Sequence, residues 1–250
     1  DLEKLLPEKV DPAWRQYAVA WQETKLPRIA IVIDDLGLSY QATEELAEMT
    51  GPYTLAYLPY AEQLVYQTGR VRAAGHELMV HLPMQPKGDV ADPGTNALLQ
   101  GLAPEEFERR LNWNLSRFDG FVGVNNHMGS LLTEDAGHMV QIMAHLKADG
   151  WLFLDSLTSP KSVGISAARA LGVPTIARDV FLDNVQQRDA IEVQLRKAER
   201  IARVRGYAIA IGHPYPVTLE TLKDWQKTLA AKGIALVPVS QLVGALEAKR

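Results

Sequence analysis

The chain has 250 residues, 47% of them hydrophobic and 22% charged, the balance of an ordinary globular protein. A net charge of −4 provides no basic footprint, so no nucleic-acid partner is expected. The absence of cysteine excludes disulfides, a thiol nucleophile and thiolate-held metal, leaving histidine and carboxylates as the strong metal ligands.

Residues 1–27 read as a lead-in: charged, carrying three prolines, with only patchy helical spacing. An extended surface segment is the expectation there. The chain begins at Asp1 without a methionine, so a signal peptide or anchor upstream is expected. No apolar run is long enough to cross a bilayer, and no stable membrane insertion of these 250 residues is expected.

After Pro27 strand-like apolar runs recur at 29–33, 53–58, 78–82, 121–125, 151–155, 174–182, 207–212 and 234–239. Helical stretches lie between them, for example 103–118 and 134–150. The second is read with Val140, Met143, Ala144 and Leu146 on one face and Gly150 as its stop. Continuously apolar strands are covered on both faces, and strand alternating with helix implies parallel crossovers. Some eight such units predict an α/β fold, a distorted (β/α) barrel of seven to eight parallel strands spanning 28–250. An open doubly wound sheet is the alternative. The longest irregular stretch, 83–101, follows the third strand and reads as a binding loop.

Polar residues gather where strands end. Asp34 and Asp35 close the first strand in RIAIVIDDLG, and His81 closes the third. Asn125, Asn126 and His127 close the fourth, and Asp155 and Ser156 the fifth. Asp183 and Asn184 follow the sixth, and His213 ends the seventh. In a parallel barrel these ends converge on one rim. Each residue has a plainer explanation: aspartates cap helices, asparagines serve turns and a single histidine often sits in a core. Coincidence is what those explanations leave over, because three of the six histidines end different strands. His138 and His145 read as surface or packing residues, and His76 belongs to the opposite rim or the wall. Trp14, Trp21, Trp113, Trp151 and Trp225 read as packing residues.

Two imidazoles and a carboxylate make a three-ligand site with positions open to water and substrate. The adjacent aspartates then divide the labour: one binds the cation, and the other stays ionised as a base.

IVIDDLG, GHELMVHLPMQP, NNHMGS, FLDS, RDVFLDN and IGHP, in that order, resemble the divergent polysaccharide deacetylase family of bacterial envelopes. That family is a distant branch of the NodB-type metal-dependent polysaccharide deacetylases. The resemblance covers about residues 28–245. It implies a hydrolase that removes acetyl groups from an N-acetylated envelope polysaccharide or oligosaccharide, with a divalent metal, zinc in the first place. The expected location is the periplasm or cell envelope. Asp34 matches the base, Asp35 and His81 match metal ligands, and His213 matches the acid that protonates the leaving amine. Asp155 matches a later catalytic motif. Where the relatives carry their second histidine this chain has Gln85, so His127 is expected to complete the ligand set. Arg178 and Asp179 stand in for a missing arginine and, with Asn126, are expected at the substrate. The substitution at Gln85 also motivates an alternative, a degenerate relative that binds glycan or an envelope protein. A glycosidase-like barrel is a third reading, which leaves the rim histidines unexplained.

Overall fold

The computed structural model describes residues 11–88 and 91–248. Strands β1 (Arg28–Leu36), β2 (Thr54–Tyr57), β3 (Glu77–Met84), β4 (Gly123–Met128) and β5 (Leu152–Asp155) come first. Strands β6 (Thr175–Ala177), β7 (Val180–Phe181), β8 (Tyr207–Gly212) and β9 (Ala235–Leu236) complete the sheet. The helices are α1 (Ala13–Gln16), α2 (Tyr40–Glu48), α3 (Leu64–Ala73), α4 (Pro104–Leu115) and α5 (Ala136–Asp149). They continue as α6 (Gly164–Leu171), α7 (Arg188–Arg205), α8 (Pro216–Gln226), α9 (Leu229–Lys232) and α10 (Val239–Glu247).

The strand order is β6-β5-β4-β3-β2-β1-β8-β7, with β9 also pairing β1, and every pairing in this sheet is parallel. The result is a curled α/β half-barrel. The run at 174–182 is two strands, not one. Its first part pairs β5 and its second pairs β8, at opposite ends of the order. Arg178 and Asp179 span the gap, donating backbone N–H groups to the carbonyls of Asp155 and Ile209. A charged pair in the middle of an apolar run is where the chain leaves one edge for the other.

The alternating direction of side chains along each strand sorts the core into two layers. Ile29, Ile31 and Ile33 belong to the layer under the helices, with Leu46, Leu195 and Leu222. Ala30 and Val32 belong to the inner layer, with Ala56, Met79, Leu152, Leu154, Ile209 and Ile211. Leu242 and Val243 of α10 and Trp14 of α1 join that inner layer. The lead-in is therefore not wholly superficial: Trp14 is only 5% exposed and packs with the barrel interior.

Helix α5 forms as expected, with Gly150 in the left-handed conformation at its end. Its buried stripe is Met139, Ile142, Met143 and Leu146, and Val140 is 44% exposed. The i, i+3, i+4, i+7 set lies one residue round from the expected face, which costs Val140 and Ala144 their place. His138 and His145 sit on its outer side beside Asp135 and Glu108. His76 lies at the foot of β3, with Nδ1 accepting from the Tyr53 amide and Nε2 facing the Leu46 carbonyl.

Candidate functional site

The inner layer of each strand runs upward into one polar cluster. On β1, Asp34 continues the Ala30–Val32 face, so it points inward by simple alternation. Asp35 ought then to point out. It does not, because its backbone takes φ 56° and the pairing with β2 shifts register between Ile33 and Leu36. Aspartate tolerates this left-handed conformation better than branched residues do. The bulge lets two consecutive carboxylates share one cup.

On β3, His81 continues the face of Met79. On β4, Val124 packs under the helices, so Asn125 and His127 face inward together. Asp35 Oδ1 lies 2.9 Å from His127 Nδ1 and 3.2 Å from His81 Nε2. One ligand atom from each of Asp35, His81 and His127 lies within 4.8 Å of the others. Asp35 Oδ1 is buried yet makes no hydrogen bond of acceptable geometry. Three donor atoms that converge without hydrogen-bonding one another are what a small cation needs, so these residues fit a divalent metal.

Asn125 organises both sides of this triad. Its Nδ2 donates to Asp34 Oδ1 at 2.7 Å, which turns its Oδ1 toward His81 Nδ1 at 2.8 Å. An amide oxygen only accepts, so Nδ1 of His81 carries a proton, and Nε2 is the nitrogen left to face Asp35 and His127.

The protein's own groups set the charges. Burial pushes the Asp34 carboxyl above the usual range, against the pull of His81, His213 and Asn125. Burial pushes Asp35 the same way, but His127 and His81 outweigh it and hold the carboxyl far below that range. Burial opposes charge on His81, yet Asp34 and Asp35 prevail and push it up to about 9. At His127 burial prevails and lowers the value, which favours the neutral imidazole a metal requires.

His213 extends the inner face of Ile209 and Ile211. Its Nδ1 lies 2.9 Å from Asp183 Oδ1, and its Nε2 lies 3.8 Å from Asp35 Oδ2. Asp183 Oδ2 accepts from the His213 amide and from Thr218 Oγ1. Burial opposes the His213 charge, but Asp183 and then Asp34 raise its pKa.

The cluster thus unites Asp34, Asp35, His81, His127 and His213. Other expected site residues lie elsewhere. Asp155 shares the outward face of Phe153, and its oxygens accept from Leu157 N at 2.9 Å and Ser162 Oγ at 2.7 Å. It organises the loop after β5. Asn126 shares the outward face of Val124, and its amide ties Met128 O, Thr158 Oγ1 and Ser156 N together. Asp179 turns to Arg205 and the Ile209 amide. Arg178 stays near: it donates to Ser156 O and Leu157 O and covers the Phe181 ring, which in turn faces His213. Gln85 is spent on the loop, its Oε1 accepting from the Gln100 amide at 2.8 Å.

Sequence reasoning left Asn125 and Asp183 without a role. The signal for Asn125 was available, since it stands two residues before His127 on one strand. Asp183 carried no such signal, because it follows β7 in a loop.

Comparison with known proteins bears on this site. An uncharacterized protein of Escherichia coli K12, YibQ, is 34% identical over 216 residues, 86% of this chain and 67% of the relative. The crystal structure of uncharacterized protein ATU2773 from Agrobacterium tumefaciens C58 superposes with TM-score 0.89 at 28% identity, covering 92% of this chain and 95% of that one. A mutant of the peptidoglycan deacetylase PdaC from Bacillus subtilis shares the fold at TM-score 0.54 and 16% identity, covering 91% and 95%. The model of the divergent polysaccharide deacetylases matches residues 31–243, nearly the whole barrel. The chain belongs to the divergent polysaccharide deacetylase family.

Proposed function

We propose that this protein hydrolyses the acetamide of an N-acetylated polysaccharide or oligosaccharide of the bacterial envelope. The observation that carries this reading is the flanking of the triad by two groups of opposite use. Asp34, a carboxylate of raised pKa, stands on one side, and the Asp183-supported imidazole of His213 stands on the other.

Asp35, His81 and His127 would hold a divalent cation, zinc being the first candidate for a carboxylate and two imidazoles. Such a cation, when bound, polarises a carbonyl oxygen and lowers the pKa of water. Asp34 accepts the proton of the attacking water, a role its raised pKa suits. Asn125 fixes the Asp34 carboxylate and leaves its Oδ2 for that proton. His213 delivers a proton from Nε2 to the departing nitrogen, while Asp183 holds its Nδ1–H. The C–N bond breaks, and water divides between acetate and a free amine. Arg178 and Phe181 wall the cup beside His213.

The missing second histidine of the relatives does not argue for a degenerate binder, because Gln85 faces the loop and His127 supplies the imidazole from β4. The substrate class puts the place of work in the periplasm or cell envelope.

Acetate release from an N-acetylglucosamine oligomer, measured beside metal content, tests the reading. Wild type is expected to release acetate, Asp34→Asn to lose release while keeping metal, and His81→Ala and His127→Ala to lose both. Full metal occupancy in both histidine variants would refute the ligand set.

A further inference from the structure

We propose a second binding site, at the end of the barrel remote from the triad, that takes an acidic oligosaccharide. A cavity of about 620 Å³ lies where the lead-in meets α10, within the size range of small-ligand sites. Trp14, Arg15, Trp21 and Lys25 line it from the lead-in, Arg28 from the foot of β1 and Gln241 from α10.

Three features describe the occupant. Gln241 is 3% exposed, and its Oε1 has no hydrogen-bond partner among the described residues. A buried acceptor left without a donor is costly, and a ligand hydroxyl or N–H supplies one. The indole of Trp21 is only half-buried, with Trp14 deeper behind it, and indole faces pack well against the C–H face of a sugar ring. Arg15, Lys25 and Arg28 line the cavity against Glu23 alone, and none of the four has an ion pair among the described residues; the Arg15 guanidinium lies 4.9 Å over the Trp14 ring, and Arg28 is half-buried. The net positive charge of this lining favours a carboxylate, which a guanidinium binds through paired hydrogen bonds.

A neutral sugar leaves the cations unanswered, and an inorganic anion leaves the indole and the amide unanswered. A saccharide bearing hydroxyls and a carboxylate answers all three. The site begins at the opposite ends of the strands that carry the triad, so it holds glycan independently of any chemistry there. Its argument does not rest on the catalytic reading.

Isothermal titration with the hyaluronan hexasaccharide tests it, with neutral cellohexaose, which carries no acetamide, as the control. The acidic hexasaccharide is expected to bind and cellohexaose to bind at least about 10-fold more weakly. Trp21→Ala and Arg28→Ala are each expected to weaken the acidic ligand about 10-fold. Ala245→Trp fills the cavity from α10 with the lead-in intact and is expected to do the same, which guards against a misfolded lead-in. Asp34→Asn and His127→Ala are expected to bind as wild type. The proposal is overturned by no binding of the hexasaccharide or by equal binding of cellohexaose. Binding lost in His127→Ala and kept in Ala245→Trp overturns it equally.

Discussion

Asp183 grips His213 twice: one carboxylate oxygen faces the ring Nδ1 at 2.9 Å, and the other accepts the backbone amide at 2.6 Å. Position and proton affinity of the imidazole therefore depend on one side chain. Asp183→Asn keeps the size and loses the charge. Acetate release is expected to fall about 10- to 100-fold, the usual cost of removing a supporting group. Its pH profile is also expected to change. A raised His213 stays protonated to higher pH, so losing Asp183 moves the alkaline limb of the profile toward lower pH. An unmoved limb would assign the proton donor elsewhere.

Asn125 bridges Asp34 and His81 through two buried contacts, and Asn125→Leu removes both while conserving volume. Divalent-metal affinity is expected to drop about 10- to 100-fold, because the His81 tautomer is no longer imposed. Competition with a chelator reads the affinity directly. Nitrogen-15 spectra of the metal-loaded protein are expected to show His81 losing its preference for the Nδ1–H form.

Gln85 stands where the sequence resemblance implies a second histidine, and its amide oxygen accepts from the Gln100 backbone. Gln85→Ala is expected to cost about 1 kcal/mol in stability, the loss of one hydrogen bond, with metal content unchanged. Gln85→His is expected to add no ligand. Metal stoichiometry and chemical denaturation of both variants check these outcomes.

Glu77 lies fully buried at the foot of β3, bonded to Thr54, the Ser240 amide and the Ser240 hydroxyl. Burial raises its pKa above the ordinary value of 4.5, against those hydrogen bonds. An acid raised in the folded state binds its proton more tightly folded than unfolded. Its contribution is fully present below pH 4.5 and is lost as pH climbs through the raised value. Glu77→Gln is expected to gain stability relative to wild type as pH rises from 4.5 to 8. Urea midpoints across that range test the sign, and a variant midpoint that falls relative to wild type with rising pH would be fatal to it.

Much of this was legible before any coordinates. Runs such as Ile29–Ile33 are apolar at every position because both faces are covered, and their count gave the layered α/β architecture. The rim residues were visible as polar endings to those runs. Which of them face inward was not. Asp155 and Asn126 stand at strand ends as prominently as His127, and only alternation from Phe153 and Val124 assigns them to the helix side. Asp35 breaks the same rule, because a left-handed residue sets its direction. The split of 174–182 was readable in principle from Arg178 and Asp179, charges that no doubly covered strand would carry. Gln85 shows a different limit: a motif position says where a residue sits, and its hydrogen bond says what it faces.

The crossing at Arg178 and Asp179 joins the two free edges of the sheet by covalent chain, with β6 and β7 unpaired to each other among the described residues. The span of the cup at that seam is a matter of chain length, not of ladder geometry. One or two residues inserted there would loosen the clasp while leaving β6 zipped to β5 and β7 to β8. Evolution has at this seam an inexpensive dial for admitting bulkier ligands, because lengthening it disturbs none of the strands that carry Asp35, His81 and His127.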